Sequence, residues 1–129
     1  MRKFIGCLVL LAAMATPAMA ASANFQGNCT LEFPNDCVFD PQRAPSSGTP
    51  TACPGSSVKR YFWDFGDGTS FFVTPPPHQT SHTYTSYVTT NICLTVFCND
   101  NTSSPPKCYS FSNVIGIGGV IPGTGWSPY

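Results

Sequence analysis

Charge is scarce in this chain. Only 9% of its 129 residues are Asp, Glu, Lys or Arg, six basic against six acidic, so there is no basic stripe of the kind a nucleic acid requires. Histidine is nearly absent, with His78 and His82 the two examples, and no Cys-x-x-Cys pair occurs. A zinc site therefore has no ligand spacing to use. The longest apolar run, Phe4 to Ala15, falls short of the roughly 20 residues that cross a bilayer, and no second run follows. Helical periodicity and internal repeats are also missing. His82, Ser81 and Asp67 can be drawn as a triad, but no nucleophile motif or oxyanion pocket accompanies them. No catalytic residue, cofactor or metal is assigned, and an enzyme is not expected.

What the chain does have begins at its N-terminus. Arg2 and Lys3, the apolar run and Ala18-Met19-Ala20 form the pattern of a signal peptide over residues 1–20, cut after Ala20. Export to the extracellular space or the periplasm follows, with no membrane span in the mature chain. The 109 residues that remain suffice for one sandwich domain, placed at 21–118. Residues 119–129, rich in Gly and Pro, are expected to be a flexible tail. The mature chain keeps Arg43, Lys59, Arg60 and Lys107 against six acidic residues, a net charge of −2.

Cys7 leaves with the leader, and six cysteines stay: Cys29, Cys37, Cys53, Cys93, Cys98 and Cys108. An even number on a short exported chain reads as three disulfides. Asn28-Cys29-Thr30 and Asn101-Thr102-Ser103 are sequons that matter only where exported proteins are glycosylated.

Strands are read at 24–31 and 37–40, either side of Pro34-Asn35-Asp36, at 58–65 by period-two alternation, at 69–74 from β-branched and aromatic content ended by Pro75-Pro76-Pro77, and by alternation again at 89–97 and from 108 to about 117. In the third, Tyr61, Trp63 and Phe65 share one face and Phe62 and Asp64 the other. In the fifth, Ile92, Leu94 and Val96 share one face, opposite Cys93, Thr95 and Phe97. Pro41 to Ser57 has the composition of a surface loop, anchored partway by Cys53. Asp67-Gly68 supplies a tight turn, because glycine accepts positive φ and aspartate bonds its own backbone two residues on.

Trp63-Asp64-Phe65-Gly66-Asp67-Gly68-Thr69, followed by His82-Thr83-Tyr84 and Ile92 to Val96, resembles the signature of the polycystic-kidney-disease (PKD) domain. The resemblance covers residues 24 to 118. It implies an all-β, immunoglobulin-like β-sandwich with Trp63 as the buried tryptophan of its core, and it places Ser81 to Tyr84 at a His-x-Tyr turn. The chain departs from the family at Ser86-Tyr87-Val88-Thr89-Thr90, where glycine and tyrosine are usual. Some relatives bind calcium through an acidic loop, but the loop after Asp40 lacks that ligand set, so the site is not carried over.

Cys29 and Cys37 flank a turn and are expected to pair. Outward parity favours Cys93 with Cys108, and the implied neighbourhood of the third and fifth strands brings Cys53 to Cys98. The alternative joins Cys98 to Cys108 and Cys53 to Cys93. Phe62, Phe97, Phe71 or Phe72, Tyr87 and Trp126 exceed what a small core needs, and aromatics bring contact area at low entropy cost. They mark a candidate surface for an extracellular protein or polysaccharide. The other reading is a structural, self-associating piece of a cell-surface assembly.

Overall fold

In the longest strand the alternation is complete. Ile92, Leu94 and Val96 are fully buried, while Cys93, Thr95 and Phe97 between them are only partly covered. A computed structural model describes residues 20–45 and 48–114 and the backbone of 121–122. Eight strands run in order: β1 (Gln26–Cys29), β2 (Asn35–Asp40), β3 (Val58–Asp64), β4 (Ser70–Val73), β5 (Thr80–Tyr84), β6 (Thr89–Cys98), β7 (Lys107–Ser112) and β8 (Ile121–Pro122). They form two sheets, ordered β1-β2-β5 and β4-β3-β6-β7-β8, and every pairing is antiparallel. This is the immunoglobulin-like arrangement, with β1, β2 and β5 facing β4, β3, β6 and β7, and β8 added at the β7 edge. No helix occurs among the described residues, so none is long and apolar enough to cross a membrane.

The inner faces meet in an aromatic core. Trp63 is fully buried. It meets Phe25 edge-on at 5.0 Å between ring centroids, Phe39 at 5.4 Å, and Phe65 in a parallel stack at 5.9 Å. Tyr61, Tyr84 and Phe111 complete it. Rings of this size each stabilise the fold by about 1.5–3 kcal/mol through burial.

Three disulfides staple the sandwich. Cys29–Cys37 and Cys93–Cys108 join directly opposed residues of β1–β2 and β6–β7, with Cα atoms 4.0 and 4.1 Å apart. Cys53–Cys98 ties the long loop to the end of β6. It spans 45 residues, and on the chain-entropy account a loop that long contributes on the order of 4 kcal/mol. The alternative pairing of Cys98 with Cys108 is not formed.

Several boundaries differ from the sequence reading, each for a local reason. The first strand starts at Gln26 because Asn24 is engaged elsewhere: its N–H donates to Thr51 Oγ1 at 2.9 Å and its side chain to the Thr49 carbonyl. The last core strand stops at Ser112, since Asn113 turns inward. Its side chain donates to Asn35 Oδ1 and to the Ser86 carbonyl, both at 3.0 Å, and accepts from the Val88 N–H at 2.6 Å. Ser81 to Tyr84, expected as a turn, belongs to strand β5. Pairing with β2 from Asn35↔Tyr84 to Phe39↔Thr80 draws it straight. The expected signal peptide lies, except for Ala20, outside the described residues. Of the expected tail, Ile121–Pro122 pair with β7, and the rest lies outside them.

Candidate binding surface

The turn after β3 shows how the fold signature is used. Asp64 Oδ1 accepts the Gly66 N–H and Asp67 Oδ1 the Thr69 N–H, each at 3.0 Å, so both carboxylates brace the turn from within. Gly66 has φ 77°, and a Cβ there would overlap the Thr90 side chain and the Asn91 carbonyl. The second oxygen of Asp67 meets His82 Nε2 at 2.7 Å; a carboxylate only accepts, so the imidazole donates. Burial pushes the Asp67 carboxyl up, but the bonds from His82 and Thr69 outweigh it and hold the group below the usual carboxylate value. The His82 ring stacks on Phe65 at 4.2 Å. Tyr84 donates its hydroxyl to the Phe65 carbonyl at 2.8 Å, and burial followed by the Asp67 and Asp64 charges drives its pKa far up.

These contacts assign Asp67 and His82 to bracing. Ser81 is exposed and alternates to the opposite side of β5 from His82, so the three do not converge as a triad. His78 is engaged by the Tyr61 hydroxyl at 2.5 Å. The Tyr61 phenol is pushed up to about 12, by burial first and then by the Asp40 charge. Among the described residues no group of three or more His, Cys, Asp or Glu is placed to hold a metal ion.

The outer face of the five-stranded sheet is different in kind. Register sets Phe62 opposite Phe72 and Arg60 opposite Phe97, and parity turns all four outward. Phe62 and Phe72 lie 4.9 Å apart, and Phe72 and Phe97 6.0 Å. The Arg60 guanidinium sits 4.6 Å from the Phe72 ring centroid and 5.2 Å from that of Phe97, a cation–π arrangement. Among the described residues no carboxylate pairs with it, and its buried Nε has no acceptor. Beside it opens a hollow of about 240 Å³ lined by Lys59, Arg60, Phe97, Asn101, Thr102 and Ser103, with Cys98 at its base. The hollows on the other sheet have no such aromatic wall, and the acid there, Asp40, is already met by Arg43 and Gln79.

Of the aromatic candidates, Phe62, Phe72 and Phe97 come together, with Phe72 53% exposed. Phe71 turns inward against Phe65 at 5.2 Å. Tyr87 does not join them: it stacks on Phe33 at 4.3 Å, in the β5–β6 loop that Asn113 holds against β7. Trp126 lies outside the described residues. Arg60 was missed, although it shares the outward parity of Phe62.

No protein-family model and no curated protein matches the chain. Among solved structures it is similar to the PKD1 domain from the Vibrio cholerae metalloprotease PrtV, with 17% identity over 71% of this chain and 96% of that one and a TM-score of 0.49. At that identity and score the likeness adds nothing to what the strand order already shows.

Proposed function

We propose that this chain is an exported, non-catalytic binding module of the PKD type that engages an extracellular protein or polysaccharide through the outer face of β4-β3-β6. The observation that carries the reading is the Phe62–Phe72–Phe97 cluster. Three aromatic rings on the solvent side of a sheet do nothing for the core, and Phe72 leaves over half its surface in water. Such rings are the usual anchors of recognition surfaces. The PKD resemblance and the expected signal peptide agree with it. Incubating residues 21–129 with insoluble polysaccharides and matrix proteins tests it. Retention by one of them, lost in Phe72→Ala and kept in Tyr87→Ala, is the expected result; retention unchanged in Phe72→Ala overturns the reading.

A second reading, a self-associating structural subunit, has its own observation. Leu31, Phe33, Tyr87 and Val114 are exposed apolar residues on segments that meet at one end of the sandwich, tied by the Asn35–Asn113 hydrogen bond. Sedimentation separates the two: a binder is monomeric without ligand, and an assembly subunit associates.

A further inference from the structure

From the company that Arg60 keeps, we infer that the ligand of the β4-β3-β6 face is a glycan bearing a carboxylate, a uronic-acid sugar whose ring lies on Phe62 and Phe72 while its carboxylate meets Arg60. The inference rests on the sheet-face reading above and deepens it.

Charge and area argue for this class. Arg60 stands between two rings with no acidic partner among the described residues. A guanidinium held planar and without a counter-charge is suited to a carboxylate, which it can grip with two parallel N–H bonds. Lys59 lines the same hollow, so the one adjacent basic pair of the mature chain converges there. Asp64, four residues along, accepts from Gly66, and Asp100, next to the residues that line the hollow, accepts from the N–H and hydroxyl of Thr102; neither forms an ion pair with Arg60. The patch therefore brings two basic groups together in residues 21–129, whose overall balance is −2.

Area then favours a sugar over a protein. A phenylalanine ring brings about 150–250 Å² when fully buried. With Phe72 53% exposed and Phe62 and Phe97 partly covered, the three offer no more than roughly 300 Å². A stable protein interface takes about 800 Å² from each side, spread over roughly 20–30 residues, of which these rings would be a small part, whereas one or two sugar rings are covered by the three alone. The polar lining of the hollow, Asn101, Thr102 and Ser103, suits hydroxyl groups.

The test is affinity electrophoresis of residues 21–129 through polygalacturonate, alginate and hyaluronan, each beside its carboxyl-reduced form, with polyglutamate as the acidic peptide. Arg60→Met keeps the stem over the rings and removes the charge; Phe72→Ala removes the exposed ring. Retardation by at least one uronate polymer is expected, at least tenfold weaker for its reduced form. Arg60→Met should bring the native polymer down to the level of the reduced one, and Phe72→Ala should abolish both. Equal retardation by native and reduced polymer, lost in Phe72→Ala, would overturn the acidic-sugar assignment and leave the sheet-face reading standing. Retardation that survives Phe72→Ala would overturn both. No retardation by any of the three polymers, or equally tight binding of polyglutamate, would overturn the glycan assignment.

Discussion

Replacing Trp63 with alanine removes the centre of the core. The indole is fully buried and touches Phe25, Phe39 and Phe65, and these rings come from the segment before β1, from β2 and from the residue just after β3, so no single side chain can swing in to fill the space. A buried Trp truncated in this way costs about 3–5 kcal/mol, out of the 5–15 kcal/mol that hold a typical domain. Trp63→Phe gives a sharper reading. Trp63 Nε1 is buried with no hydrogen-bond partner among the described residues, and an unsatisfied donor costs about 1–3 kcal/mol. Phenylalanine deletes that donor along with part of the ring, two changes that oppose each other, so its loss should be less than half that of alanine. Urea unfolding followed by far-UV circular dichroism, with disulfides intact, measures both. A Trp63→Ala variant within about 1 kcal/mol of wild type would refute the strand parity. Equal losses for Phe and Ala would show that the indole N–H has a partner.

Gly66→Ala should destabilise by roughly 1–3 kcal/mol, because φ is positive and the new methyl meets Thr90 and Asn91; Gly68→Ala, with open space at its Cβ, should cost less, and thermal melts compare them. The lowered pKa of Asp67 means that the folded state favours the carboxylate. Its contribution is therefore complete above the ordinary carboxyl value of 3.8 and lost as pH falls through the lower folded value. Asp67→Asn should flatten the stability profile below pH 3.8 without abolishing the decline, since Asp100 is shifted the same way by Thr102. Millimolar calcium should leave the melting temperature unchanged; a rise of several degrees would reveal a site that the loop after Asp40 does not suggest.

Residues that alternate in a covered strand were legible, because period two and burial are the same fact there: Tyr61, Trp63 and Phe65, and Ile92, Leu94 and Val96, face inward as their spacing requires. Strand β5 was not, since Thr80-Ser81-His82-Thr83 has no apolar alternation and becomes extended only by pairing with β2. The surface was half legible. Phe62 and Phe97 could be named from their parity, but their association with Phe72 depends on the register of three strands, and Arg60 read by itself is a solvated charge. Tyr87 shares the composition of the patch but not its place, and the Asn35–Asn113 bond that sets its loop joins residues 78 apart.

The central claim is that recognition takes place on the outer face of β4-β3-β6. Amide shift mapping of labelled residues 21–129 during titration with oligogalacturonate tests it most directly. The account predicts shifts concentrated at 60–62, 71–73 and 95–97, with saturation, and none beyond noise at Leu31, Phe33, Tyr87 and Val114. Saturable shifts centred on those four residues, or on the β1-β2-β5 sheet, would contradict it.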